Sequence, residues 1–195
     1  MNKREFLAST AVLGAMPVVT AQAARPIARG PVLLTISGAI AKGNRGPLNP
    51  ALDQMLAKHG VRFDTALALD AAALARMPAV HIQPTLEYDA KVHTLLGPLV
   101  STVLEAAGVP STGAVVLGLR AVDGYNVAIS LADIQRYRMI IATHMDGEPL
   151  SLGGLGPQWA VYDADRLEDF KNLPLKQRFG LCPWGVYHID VKPVG

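Results

Sequence analysis

The chain has 195 residues, of which 50% are apolar, 17% charged and 6% aromatic, with Lys+Arg 18 against Asp+Glu 16. A length within the roughly 100–200 residues of one domain, with ample apolar material, excludes disorder as the main state. The formal charge of +2, with no Lys/Arg run interleaved with aromatics, excludes the footprint of a nucleic-acid binder, and the one cysteine, Cys182, excludes internal disulfides and Cys-rich metal sites.

Residues 2–23 have the three-part layout of an export signal: Lys3 and Arg4, the apolar stretch Phe6 to Val19, and the small-residue run Ala21-Gln22-Ala23. The stretch holds Gly14 and Pro17 and falls short of the ~20 residues of a membrane-spanning helix, so cleavage after Ala23 and a periplasmic location are expected. Loss of Lys3, Arg4 and Glu5 leaves sixteen basic and fifteen acidic groups, an essentially neutral single domain over 24–195. The run Lys3-Arg4-Glu5-Phe6-Leu7 resembles the twin-arginine export signal, with Lys3 in place of its first arginine. A lone cysteine between Leu181 and Pro183 fits a buried small hydrophobe better than a nucleophile.

Pro31 to Ser37 reads as a strand closed by Gly38. Asn49 as N-cap and Pro50 in the first turn predict a helix with Leu52, Met55 and Leu56 on its buried face, ending at Gly60. A second short helix starts at Asp70, with Leu69 and Leu74 as a hydrophobic staple, and stops at Pro78. Ala79 to Leu86, with Pro84 inside it, reads as a strand that becomes a loop or lies at an edge. A third helix covers about Pro98 to Ala107, with Gly108 as its stop. Period 2 then takes over: Val115 to Val122 and Tyr125 to Ile129 flank Asp123-Gly124, the pair suited to a two-residue type I′ turn. Ser130 and Asp133 resemble a capping box for a helix ending near Arg136, Arg138 to Met145 reads as a strand, and Asp146-Gly147 as a second tight turn. Gln158 to Tyr162 and Val186 to Val191 are the last extended runs, so the architecture is β-dominated with a few short helices.

Gly153-Gly154-Leu155-Gly156-Pro157 is glycine-rich but neither ends in Gly-Lys-Ser/Thr nor opens a helix, so it is not a nucleotide fingerprint. It serves either a close backbone approach to a flat ligand or a plain β-connection. Of His59, His81, His93, His144 and His188, no two have the i, i+4 or i, i+2 spacing of a local metal site. His59 and His188 read as structural, while His81, His93 and His144 could reach one pocket. No Gly-x-Ser-x-Gly elbow supports a serine hydrolase. Trp159, Tyr162, Trp184 and Tyr187 hold both tryptophans and suit either a core or stacking on a planar heterocycle.

The order of several segments resembles the molybdopterin-binding domain of the sulfite oxidase family. These are Gly97-Pro98-Leu99, Val103 to Val109, Asp123-Gly124-Tyr125, Asp146 to Leu150, Gly156-Pro157, and Trp184 ahead of Ile189-Asp190-Val191, within a match from about Val32 to Val191. The resemblance implies an α+β fold, the β-dominated mixed sulfite-oxidase (molybdopterin-binding) fold with a few short helices. Enzymes of that family hold molybdenum through a pterin dithiolene and one cysteine thiolate placed shortly before the segment matching Gly97-Pro98-Leu99. Here Ala79 to Leu96 holds no cysteine, and the family's arginine after Gly-Gly-Pro is replaced by Gln158. Thr and Gln cannot replace a soft anionic thiolate electronically.

A smaller group of short exported proteins of that fold, without the cysteine, is resembled more closely through Gly156, Pro157, Trp159, Tyr162 and Trp184. That resemblance implies a periplasmic, non-catalytic domain that binds a reduced pterin and passes the signal to a membrane-bound diguanylate cyclase or histidine kinase. Trp159 or Trp184 would stack on the ring, while His81, Gln83, Thr85, Asp123 or Tyr125 would reach its polar edges. No tightly bound cofactor, no metal and no nucleic acid are expected. The alternative is a molybdopterin-dependent oxidoreductase with a non-standard ligand, or one in which Cys182 reaches the metal from another segment.

Overall fold

A computed structural model of the chain describes residues 30–194, and the expected export signal over 2–23 lies outside them. Strand β1 spans Val32–Gly38. Helix α1, Gln54–Lys58, is shorter than its pattern predicts, because the Asn49 side chain accepts from the Ala51 amide at 2.9 Å and turns the chain before the helix begins. Leu52 and Met55, expected on the buried face, are exposed, and Leu56 is the residue that packs inward. Strand β2, Ala66–Asp70, carries no strand signal in its Ala-Leu-Ala-Leu run; pairing with β1 makes it extended. Asp70 then caps α2, Ala71–Ala75, its carboxylate accepting from the Ala73 amide at 2.7 Å, and Leu69 and Leu74 are both buried as the staple requires.

Strands β3 (Ala79–Ile82) and β4 (Leu95–Pro98) flank a long loop, and α3 (Val100–Ala106) buries Val100, Val103 and Leu104 before Gly108 ends it. Strands β5 (Val115–Ala121) and β6 (Asn126–Ser130) form the expected hairpin, but its tip is not a type I′ turn. Of Asp123 and Gly124 only the glycine has positive φ. The Ala121 carbonyl accepts from the Gly124 amide, and the Asp123 carboxylate accepts from the Tyr125 amide at 2.9 Å, which builds a four-residue loop instead. Ser130 caps α4, Leu131–Arg136, accepting from the Asp133 amide at 3.0 Å.

The expected strand from Arg138 to Met145 is split at Thr143 into β7 (Ile140–Ala142) and β8 (His144–Met145). The turn with two left-handed residues lies here: Asp146 at φ 52 and Gly147 at φ 89 join β8 to β9 (Glu148–Pro149). Strand β10 (Trp159–Val161) pairs with β7, and β11 covers Val186–Pro193.

The main sheet has the order β2-β1-β11-β5-β6, with β1 and β11 parallel and the other pairs antiparallel. Beside it lie the sheet β3-β4-β8-β9 and the pair β10-β7. One apolar core joins Leu34 and Ile36 of β1, Leu117 and Leu119 of β5, Val103 and Leu104 of α3, and Trp159 to Tyr162. The central strand β11 buries Val186, Ile189 and Val191 and also His188, whose Nε2 lies 2.8 Å from the Ser37 hydroxyl. Gln158 is fully buried, its amide donating to the Leu33 and Val186 carbonyl oxygens, so it ties β10 to the main sheet.

Candidate functional site

Three segments converge on a cleft of about 290 Å³: the loop after β3 with Glu87 and Tyr88, the β5–β6 tip with Asp123 and Tyr125, and the run Lys176 to Trp184. Its volume lies near the lower end of the roughly 300–1,000 Å³ typical of small-ligand sites. The sides are fastened together. The Tyr125 hydroxyl donates to the Gly180 carbonyl at 2.7 Å, and the Val122 amide donates to the Gly185 carbonyl at 3.0 Å. The third segment is held from below, where Trp159 Nε1 donates to the Cys182 carbonyl and the Tyr162 hydroxyl to the Arg178 carbonyl, both at 2.8 Å. Phe179 packs against both of those rings, at centroid distances of 6.0 Å from Trp159 and 6.4 Å from Tyr162.

The structure brings together Asp123, Tyr125 and Trp184 and separates the other sequence candidates from them. Trp184 is 36% exposed and Tyr125 50%, and both line the cleft, whereas Trp159 is fully buried and holds the wall from behind. Gln83 and Thr85 do not line the cleft; their amides donate to the carboxylates of Asp163 and Asp165, and the Gln83 side chain donates to the Thr94 hydroxyl. His81 borders a different hollow, of about 210 Å³, with Arg136, Arg138 and Arg166.

The expected convergence of three histidines fails. His144 lines an apolar hollow of about 330 Å³ against α2, and His93 sits between the carboxylates of Asp146 and Asp89 at 2.6 and 3.0 Å. The glycine run at 153–156 is a tight connection with its own backbone bond from Gly156 to Ser151, and it does not line the cleft. The residues the sequence reading missed as site members are Glu87, Tyr88, Lys176 and Phe179. Glu87 stands in the polar stretch after His81, but nothing in residue type or spacing separates it from its neighbours there.

Cys182 contributes to the cleft lining, and its surroundings decide what it can do. Burial pushes its thiol up to about 12; bonds with Tyr162 pull the other way, and the Glu87 carboxylate raises it further. The Tyr88 hydroxyl is likewise pushed up to about 12, by desolvation first and the neighbouring Glu87 charge second. Both groups are protonated donors at neutral pH. Among the described residues no group of three or more His, Cys, Asp or Glu side chains is placed to hold a metal ion. The cleft lining sets one cation, Lys176, against the carboxylates of Glu87 and Asp123, a poor match for an anionic dithiolene cofactor with a phosphate tail. These residues do not fit a molybdenum cofactor.

No protein-family model and no curated protein sequence matches the chain. Among solved structures it is similar to the sulfane dehydrogenase SoxCD from Paracoccus pantotrophus, with 14% identity and a TM-score of 0.52 over 83% of this chain. The match takes up 38% of that chain, so this protein spans well under half of the neighbour's length. The likeness is one of fold, and it agrees with the strand content: the chain has an α+β, β-dominated sulfite-oxidase-like fold.

Proposed function

We propose that the chain is a non-catalytic receptor for a reduced pterin, bound in the cleft between Trp184, Tyr125 and Glu87. The observation that carries this reading is the pairing of two exposed aromatic rings with carboxylates in a cleft fastened across its top, beside a thiol that burial keeps protonated. A flat heterocycle is retained by stacking on its faces and hydrogen bonds at its edges, and neither needs a metal. Titration of the purified protein with tetrahydropterins, followed by tryptophan fluorescence, is the test. Saturable binding is expected, and its absence at high micromolar ligand overturns the reading.

Following the resemblance to short exported proteins, the proposal places the receptor in the periplasm, with a membrane-bound diguanylate cyclase or histidine kinase as its output. Fractionation is expected to recover a chain that begins at Ala24. A second reading, a molybdopterin-dependent oxidoreductase in which Cys182 reaches the metal, has the place of Cys182 in the cleft lining for it and the carboxylates of Glu87 and Asp123 against it. Elemental analysis of protein made in a molybdate-supplied host separates the two, since stoichiometric molybdenum supports the enzyme.

A further inference from the structure

The cleft holds three charged side chains, and they are not equivalent. Asp123 is already engaged, its carboxylate accepting from the Tyr125 amide in the hairpin loop. Lys176 is an exposed side chain at the rim. Glu87 is half-buried and, among the described residues, forms no ion pair and accepts no backbone amide; the donor beside it is the hydroxyl of the adjacent Tyr88.

Its backbone is nevertheless well placed. Leu86 beside it is buried, the Leu86 amide donates to the Lys91 carbonyl at 2.9 Å, and the Thr85 amide donates to Asp165 at 2.7 Å. His93 bonds Asp89 in the same loop and Asp146 in the β8–β9 turn. The loop therefore presents a carboxylate on a fixed frame, partly out of water and without a cationic partner. Such a group, with one hydroxyl on it, keeps lone pairs free for further donors.

The form of donor follows from the neighbours. Lys176 in the same cleft opposes a second cation, whereas a neutral fork of two parallel N–H groups meets a carboxylate in two hydrogen bonds without that repulsion. The fork must be coplanar with the ring that Trp184 and Tyr125 cover. We propose that Glu87 is the specificity-determining residue of the cleft: its carboxylate accepts the paired N–H donors of a 2-amino-4-oxo pyrimidine edge, so the site reads pterins and rejects rings of the same shape with oxygen at position 2. This assignment rests on the pterin reading and adds the edge by which the ring is recognised.

The test is a titration of the purified protein with pterin and with lumazine, the 2,4-dioxo analogue, by fluorescence and by calorimetry. Pterin is expected to bind roughly 10- to 100-fold more tightly, the range for hydrogen bonds to a charged group. Glu87→Gln is expected to remove most of that difference, because its amide can donate to the 2-oxygen of lumazine, while the melting temperature stays near that of the parent. Equal affinity of the parent for the two rings, or an undiminished preference in the folded Glu87→Gln protein, overturns the role of Glu87 and leaves the pterin reading standing. Failure of both rings and of tetrahydropterins to bind overturns both. The comparison of two ligands on the parent protein needs no variant, so equal affinity overturns the proposal even where Glu87→Gln does not fold, and Glu87→Ala, which also removes the acceptor, then tests whether a preference belongs to Glu87.

Discussion

The two tryptophans, equivalent in the sequence, have opposite physical roles. Trp159 is fully buried with its indole N–H on the Cys182 carbonyl, and Trp184 is over a third exposed at the cleft. Trp159→Ala is expected to cost about 3–5 kcal/mol of folding stability. Trp184→Ala is expected to leave the denaturation midpoint nearly unchanged and to abolish ligand binding, so paired urea melts and titrations distinguish wall from binding face. Two histidines respond to pH with opposite sign. His188 is lowered from 6.5 to about 4, chiefly by burial, so the unfolded chain takes up a proton first and stability falls as pH drops from 6.5 towards 4. The loss amounts to about 3 kcal/mol and is read from the pH dependence of unfolding.

His93 is raised above 6.5, first by its bond to Asp146 and then by Asp89, so its contribution is complete below 6.5 and fades as pH rises through the folded value. Its partner carboxylates are held below 3.8 by the His93 bonds, so their share is present above 3.8 and is lost in acid. Lys91, the remaining charge near this cluster, acts weakly on Asp89. His93→Gln is therefore expected to lower the melting temperature more near pH 6 than at a pH above the folded value of His93, where the imidazole has lost its proton.

At the scale of elements, close backbone approach sets the sharpest requirement. A Cβ on Gly97 in β4 would collide with the Ile141 carbonyl of β7, so Gly97→Ala forces the two strands apart. The expected loss is about 3 kcal/mol, checked by thermal denaturation. The same scale shows what local sequence encodes. The cap at Asp70, the staple of Leu69 and Leu74, the cap at Ser130 and the β5–β6 pairing all follow from residue types within a few positions, and the structure has them. What failed depended on distant partners: β2 is extended only through β1, and the long strand from Arg138 is cut because its halves serve different sheets. The departure of the Asp123-Gly124 tip from a type I′ turn has a similar cause, since the Val122 amide is taken by the carbonyl of Gly185, far along the chain.

At the scale of the molecule, the cleft is assembled from parts of the chain far apart in sequence, which is why only Asp123, Tyr125 and Trp184 of its lining were legible beforehand. Stacking rings and a hairpin tip announce themselves; the carboxylate of Glu87 becomes distinctive only when the fold brings it to Cys182 and into one lining with Lys176. The sheet order has a consequence of another kind. Strand β11 stands between β1, paired as Thr35 with His188, and β5, so the halves β2-β1 and β5-β6 have no bond to each other without it. A refolding chain that has not yet seated this keystone exposes two unfinished ladders, each able to recruit the same strand from a neighbouring molecule. Dilution from denaturant at high protein concentration should then yield exchanged dimers that slow dilution avoids, a difference visible by size-exclusion chromatography.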